Sequence, residues 1–298
     1  RLNRMLIQVA RQMGAESGLY DIPPGCEALR VQIARRALNA GCHLAPSDIV
    51  TTSGCAEAIG LCLRAICHPG DVVAIESPMY FGILQIMESL GVRALEMPTH
   101  PRDGISIEAL RLAIEQTPVR ACIVVNFSNP LGSCLPEPRK KALVALLAEH
   151  EIPLIEDDTF GEIYFAERRP TVAKAYDRKG LVLYCSSFSK ALAPGYRVGW
   201  VVPGRFKTLI EQLKHTTNIA TATLPQLAIA KFLESGGYDH HLRHIRRVYE
   251  RQVVLMSQAV ERYFPMGTKV TRPTGGFVLW VQLPESVDSL ELYRLALK

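Results

Sequence analysis

One lysine in this chain stands where an amine could do chemistry. In Ser186-Ser187-Phe188-Ser189-Lys190-Ala191-Leu192-Ala193-Pro194-Gly195-Tyr196-Arg197, an apolar run at 181–185 gives way to small hydroxylic residues, then an amine, a Pro-Gly pair and a guanidinium. A free lysine amine, with a reference pKa of about 10.4, is mostly protonated at neutral pH. Desolvation or a neighbouring cation makes it a nucleophile suited to forming an imine with a carbonyl. Arg197 supplies such a charge, or binds an anion itself.

The local pattern Ser187-Phe188-Ser189-Lys190 also fits S-x-x-K, the acylating motif of penicillin-binding proteins and class A β-lactamases. That chemistry needs serine and lysine on successive turns of one helix. Pro194 and Gly195 follow too closely for a stable helix, and neither S-D-N nor K-T-G occurs in the chain. A serine acylase is the remote alternative. A solvated surface lysine is the other, weakened by the buried-type strand that leads directly into the loop.

The elements that must carry these groups alternate. Short apolar runs at 49–52, 72–75, 94–97, 122–127, 153–155, 181–185 and 198–202 read as strands. Helical spacing occupies 27–40, 56–67, 81–90, 107–116 and 137–150, then 206–214, 225–234 and 239–263. Runs such as CIVVNF do not alternate apolar with polar, so both faces must be covered. The fold class expected is α/β, a mostly parallel seven-stranded sheet sandwiched by helices. A large domain with an N-terminal arm is expected over 1–235. A smaller, incomplete α+β domain is expected over 236–298, opened by the helix at 239–263 and a β-like stretch at 276–283. In open α/β sheets the ligand sits beyond the carboxyl ends of the strands. Those ends carry Ser53-Gly54-Cys55-Ala56, Glu76-Ser77-Pro78-Met79-Tyr80, Ser128-Asn129-Pro130, Glu156-Asp157-Asp158 and the Lys190 loop. One rim thus collects a helix start, an aromatic, an amide, a carboxylate and an amine.

Composition narrows the classes. With 48% hydrophobic and 21% charged residues over 298 positions, the chain is an ordinary globular protein, and +5 is modest for its length. No run approaches the roughly 18 apolar residues of a membrane helix, so no membrane role is expected. The eight cysteines show no C-x-x-C spacing; several sit inside apolar runs and read as small buried thiols, in a reducing, cytoplasmic setting. The basic stretch His240–Arg247 reads as a solvated helix face without a metal set. The chain starts at Arg1 without methionine and stops at Lys298 inside a helical pattern, and it is expected to be a piece of something longer.

The string S-x-S-K-x-x-x-P-G-x-R-x-G-W, from Ser187 to Trp200, together with the ordered strand-end motifs, resembles the fold-type-I pyridoxal-phosphate enzymes of the class I/II aminotransferase superfamily. The resemblance runs from about Tyr20 to Leu283. It implies pyridoxal 5'-phosphate as cofactor and Lys190 as the internal-aldimine lysine, which also moves the substrate Cα proton. It implies Asp157 at the pyridine nitrogen, Asn129 at the ring hydroxyl oxygen and Tyr80 stacked on the ring. Around the phosphate it implies Ser53, Gly54, Cys55, Ala56, Ser187, Ser189 and Arg197. Tyr20 is similar to a tyrosine that reaches the phosphate of the neighbouring subunit, which implies a homodimer. For Asp157 and Asp158 a plain helix-capping role stays open, and for Asn129 an ordinary Asn-Pro turn.

Two departures stand out. Where many relatives place a tyrosine on the ring oxygen, two or three residues past the aspartate, this chain has Thr159 and Phe160. Of these only Thr159 has a hydroxyl to offer. The family's substrate-carboxylate arginine lies in the carboxy-terminal domain, well past PTGGFVLWVQLP, and no candidate for it occurs up to Lys298. Within the superfamily, EDD, SSFSKALAPGYRVGWV and GGFVLWVQLP are most similar to MocR-type GntR regulators. There an aminotransferase-like domain senses an amino-acid or amine ligand, and DNA is contacted only through an upstream winged helix, which this chain lacks. The alternative is a stand-alone aminotransferase of the aminoadipate/kynurenine type, moving an amino group from an amino acid to a 2-oxo acid.

Overall fold

Runs that are apolar throughout become the interior strands of one sheet. A computed structural model describes residues 2–297. Eight strands, β1 (Val50–Thr52), β2 (Val72–Ser77), β3 (Arg93–His100), β4 (Gly104–Ile105), β5 (Val119–Val125), β6 (Leu154–Asp157), β7 (Val182–Ser187) and β8 (Gly199–Val202), line up in the order 1-8-7-6-5-2-3-4. All seven expected strands form. The eighth, β4, is a two-residue hairpin partner of β3, too short to leave a pattern in the sequence.

The β2–β3, β2–β5, β5–β6 and β6–β7 pairs are parallel, while β8 runs antiparallel to both β7 and β1. Two reversals return β1 to the common direction. The carboxyl ends of β1, β2, β5, β6 and β7 therefore share one rim, and β8 begins there instead of ending there. This direction brings Arg197, just before β8, to the same rim as Lys190, just after β7.

Helices cover both faces. α3 (Cys55–Ile66), α4 (Phe81–Ser89) and α7 (Lys207–Asn218) pack on one side with Leu183, Cys185 and Val201 of the sheet. α2 (Glu27–Ala37), α5 (Ile107–Gln116), α6 (Glu137–Glu149), α8 (Thr223–Glu234) and α9 (Gly237–Tyr263) lie on the other, against Val182, Tyr184 and Val202. Successive residues of β7 thus point into opposite cores, the reason its sequence does not alternate. α1 (Leu2–Met13), in the stretch expected as an arm, buries Val9 and packs Leu2 and Met5 on the α2/α8 side. Its apolar residues at i, i+3 and i+7 are the signal that could have marked it.

Of the β-like stretch 276–283, only β10 (Val281–Gln282) forms a ladder, with β9 (Lys269–Val270), ahead of α10 (Ser289–Ala296). Just upstream the chain instead lies across the loop after β6, with Phe165 N donating to Thr274 O and Gly276 N to Ile163 O. A Cβ on Gly275 would come within 2.5 Å of Ile163 O and of the Phe127 ring, so a side chain there would push the segment off. The basic stretch at the start of α9 is only partly solvated. Arg246 Nε donates to Glu162 O and His241 Nε2 meets Ala191 O, whereas His240, Arg243, His244 and Arg247 are exposed. All eight cysteines are free, and Cys62 and Cys185 bring their sulfurs to 3.6 Å. Among the described residues no helix is long and apolar enough to cross a membrane, and no His, Cys, Asp and Glu cluster could hold a metal.

Candidate active site

A cavity of about 510 Å³ opens at the rim, lined by Cys55, Ala56, Tyr80, Asn129, Asp157, Ser187, Ser189, Lys190 and Arg197 among others. These are nine of the twelve residues selected from sequence. Ser53 and Gly54 touch its edge through Arg197. Tyr20 does not enter it: the ring is 74% exposed, on a segment tied to α8 by Thr223 Oγ1 donating to Leu19 O.

Lys190 stands on a turn, not on a helix. Leu192 N and Ala193 N both donate to Phe188 O, and a short 3-10 turn at Pro194–Tyr196 follows. Buried Phe188 anchors the turn, its ring 4.9 Å from Trp200 and 5.8 Å from Tyr238. With its base pinned, the turn holds the exposed Lys190 amine toward the cavity, 6.0 Å from the centre of the Phe160 ring. The helix an S-x-x-K acylase requires is therefore absent at this position.

At one end of the cavity the chain gathers donors. α3 begins there without a side-chain cap, so its first-turn amides and positive dipole end are available to an anion. Arg197 adopts left-handed backbone (φ 52°) and donates through Nη2 to Ser53 O at 3.1 Å. Gly54 (φ 94°) makes room for it: a Cβ would sit 2.5 Å from Nη2. Gly199 is required for the same packing, since its Cβ would meet the Gly54 carbonyl carbon at 2.7 Å and Ser186 O at 2.8 Å. The register opposes Gly199 to Thr52 and to Ser187, which brings three strand ends to one point.

The other end is anionic. Asp157 is buried, and its Oδ1 accepts from Thr159 Oγ1 (2.6 Å), Thr159 N (2.9 Å) and Cys55 Sγ (3.4 Å). Oδ2 has no hydrogen-bond partner among the described residues. Burial pushes the Asp157 carboxyl up, and the Thr159 and Cys55 donors pull it back. Thr159 thus spends its hydroxyl on the aspartate, which corrects the expectation that it could serve a ring oxygen. Asp158 caps no helix either. It is buried against Arg169, accepts from Tyr184 OH at 2.8 Å and from Asn126 Nδ2 at 3.0 Å. Gly161 lies so close that a Cβ would overlap the Asp158 carboxylate.

Asn129 leaves the end of β5 through a tight loop closed by Ser128 N to Ser133 O (2.8 Å) and Gly132 N to Ser128 O (2.6 Å). Phe127, buried and at φ 52°, begins that loop. A bulky residue in this region is strained and persists where packing over-determines it. Tyr80 stands at the N-cap of α4, and Gly82 leaves space for its ring, whose Cε1 would be 2.5 Å from a Cβ there.

Sequence reasoning missed the supports behind these groups. Glu57, Lys214 and Asn218 lie under Ser53; nothing in their local patterns marked them. Glu76, at the end of β2, is 1% exposed, with Oε2 accepting from Val125 N and Oε1 without a partner among the described residues. Burial pushes its carboxyl from the ordinary 4.5 up to about 7, with Asp157 adding to the rise and the Val125 amide opposing it. A raised acid binds its proton more tightly folded than unfolded. Its contribution is therefore complete below pH 4.5 and is lost as pH rises through about 7, on the order of 3 kcal/mol in all. Glu76→Gln, which mimics the protonated form, is expected to flatten that decline and to melt higher than the parent at about pH 8. Thermal melts from about pH 5 to 8 check this; a variant that keeps the parent's slope removes Glu76 as its source.

The family model for aminotransferase class I and II matches residues 5–297. The HTH-type transcriptional regulator YjiR of Escherichia coli (strain K12) is 44% identical over 92% of this chain and 59% of its own length. YdcR, an HTH-type regulator of the same organism, is 42% identical over 100% of this chain and 64% of its own length. The chain therefore spans about six-tenths of these curated relatives. Among solved structures, LysN, the α-aminoadipate aminotransferase of Thermus thermophilus complexed with N-(5'-phosphopyridoxyl)-L-leucine, superposes with a TM-score of 0.92. It is 28% identical and covers 99% of this chain and 76% of that one.

Proposed function

The chain belongs to the class I and II aminotransferase family, which works with pyridoxal 5'-phosphate, and from that premise we propose that Lys190 is the residue that receives the cofactor aldehyde. The observation that carries this reading is the single cavity in which an amine, a carboxylate, an amide and an anion-binding helix start converge. The residues present fit the cofactor at both ends. Arg197, Ser187, Ser189 and the α3 amides suit a phosphate dianion, and the room that Gly54 leaves for the guanidinium is the kind of close approach such a cup needs. The free Oδ2 of Asp157 suits a protonated ring nitrogen. Tyr80 offers a face and Asn129 an amide between them.

When bound, the cofactor supplies an electron sink for charge developing at a substrate Cα. The chain's own part is to hold it and to move one proton. Asp157, fixed through Oδ1, keeps the ring nitrogen protonated. Lys190 Nζ is the base that takes and returns the Cα proton.

In the larger setting we assign the chain as the ligand-sensing, aminotransferase-like part of a MocR/GntR-type transcription regulator that responds to a small amino-acid or amine ligand. The 44% and 42% identities with HTH-type regulators, against 28% with LysN, support this. DNA is then contacted only by a winged-helix module upstream, in the cytoplasm. The sensor works as a homodimer, with Tyr20 reaching the partner's phosphate cup. Residues 1–235 form its large domain and 236–298 open the smaller one. The second reading, an aminotransferase of the aminoadipate/kynurenine type that turns over, is favoured by the likeness to LysN across nearly the whole chain.

Adding pyridoxal phosphate is expected to produce a visible absorbance band, and borohydride to leave a phosphopyridoxyl group on Lys190, read by peptide mass spectrometry. Lys190→Ala is expected to abolish both. A variant that keeps the band sinks the assignment.

A further inference from the structure

Ser53 is gripped at every polar atom it has. Its N–H donates to Glu57 Oε2 at 2.5 Å, its carbonyl accepts from Arg197 Nη2 at 3.1 Å, and its Oγ accepts from Asn218 Nδ2 at 3.3 Å. Asn218 also donates to Glu57 Oε1, and Lys214 Nζ donates to both Glu57 Oε2 (3.2 Å) and Asn218 Oδ1 (3.0 Å). Lys214 and Asn218 are one turn apart on α7, which places them on one face, toward the start of α3.

This arrangement sets a carboxylate in the first turn of the very helix whose N-terminus would hold a dianion. A bare Glu57 there would repel a phosphate, an effect that a low-dielectric surrounding enlarges. The side chain of Lys214 is wholly buried, that of Glu57 13% exposed, and the two make an ion pair. Burial holds the Lys214 amine below its ordinary range, and Glu57 offsets part of that shift. The charges cancel, and what remains at the cup is the hydrogen bonding that fixes Ser53.

We propose that Lys214 and Glu57 are positioning residues, a buried charge pair that fixes Ser53 while cancelling the carboxylate that would otherwise oppose a phosphate at the α3 N-terminus. The inference deepens the cofactor reading and rests on it for the identity of the phosphate ester. Its sign pattern does not depend on packing alone. Lys214→Met leaves Glu57 uncompensated and weakens phosphate binding. Glu57→Gln leaves Lys214 uncompensated and strengthens it. The double variant, neutral at both positions and close in volume to the parent, returns toward parental affinity.

The experiment measures dissociation constants of the full chain for pyridoxal phosphate by absorbance, for pyridoxal, which lacks the phosphate, by the same band, and for inorganic phosphate by calorimetry. Lys214→Met is expected to lose about tenfold or more for the two phosphate-bearing probes and to leave pyridoxal unchanged. Adding Glu57→Gln is expected to recover most of that loss. Equal losses for pyridoxal and its phosphate, no loss in Lys214→Met, or no recovery in the double variant would each overturn the proposal. Should Lys214→Met fail to fold, Glu57→Gln alone decides, since weaker phosphate binding there contradicts the charge argument. A parent protein that binds inorganic phosphate in this pattern but forms no bond at Lys190 would sink the cofactor reading and leave the charge pair standing.

Discussion

Asp157→Ala is expected to loosen pyridoxal phosphate by roughly 10²–10³-fold while making the cofactor-free protein more resistant to heat. The two effects share one cause. Burial penalises the Asp157 anion, and only the Thr159 and Cys55 donors hold it in place. All three bonds fall on Oδ1, which orients the carboxylate and leaves Oδ2 with no partner among the described residues. In the cofactor-free protein the charge is a liability, so its removal stabilises, as is common for groups kept for function. With a protonated ring nitrogen against Oδ2, the same charge becomes half of a buried pair. Removing one partner of such a pair costs about 3–5 kcal/mol, or about 10²–10⁴ in affinity, and the loss stated is the lower part of that range. Asp157→Asn keeps the volume and is expected to fall between parent and alanine. Thr159→Val removes the 2.6 Å hydroxyl bond but not the amide bond, and is expected to lose less than either. Absorbance titration and thermal melts of the cofactor-free forms check the set. An Asp157→Ala protein that melts lower than its parent would show that the aspartate is there for the fold.

The parts of this site that could be read from sequence are those that follow strands. Parallel strands covered on both faces leave unbroken apolar runs such as 122–125 and 182–185, and the residue after each run falls on the ligand rim. Lys190, Asp157, Asn129 and Tyr80 are legible in this way. What could not be read is whatever depends on direction or on pairing at long range. The reversal of β8 decides that Arg197 reaches the cup, yet GWVV looks the same in either direction. Glu57 and Lys214 are 157 positions apart. Each alone looks like an ordinary polar position on an amphipathic helix, and only the packing of α7 on α3 turns them into a pair. Thr159 is visible as a departure from a family pattern, but its actual partner, two residues back in the chain, depends on the turn after β6. Glu76 carries no signal, because a carboxylate ending a strand is as readily solvated as buried.

The buried ionic cluster behind the aspartates is the remaining case, and Arg169→Met is expected to cost about 3–5 kcal/mol of folding stability. Arg169 is almost inaccessible. Its guanidinium meets Asp158, reaches Glu162 Oε1 at 3.3 Å and donates through Nε to Gly161 O at 3.1 Å. Glu162 in turn takes Arg36 of α2 at 2.9 Å and Arg246 of α9 at 3.3 Å, while Arg36 also reaches Asp239 at 2.7 Å. One carboxylate therefore ties two helices to the loop that follows Asp157. Burial favours the neutral acid at Glu162, but Arg169 and Arg36 hold its carboxyl below the ordinary range. Methionine matches the length of the arginine stem and fills the space, so the loss comes from Asp158 and Glu162 left without their cation. Glu162→Gln is expected to cost less, because Arg169 keeps Asp158. Replacing both Asp158 and Arg169 by apolar residues of similar volume is expected to recover much of the stability, since desolvating a pair offsets most of its attraction. The cofactor should not follow that recovery. Asp158 precedes the turn that places Thr159 on Asp157, and Asn126 and Tyr184 lose their shared acceptor with it. Urea unfolding at about pH 7 measures the first effect and cofactor titration the second. A double variant restored in both would mean that the cluster only holds the loop together and does not set the aspartate.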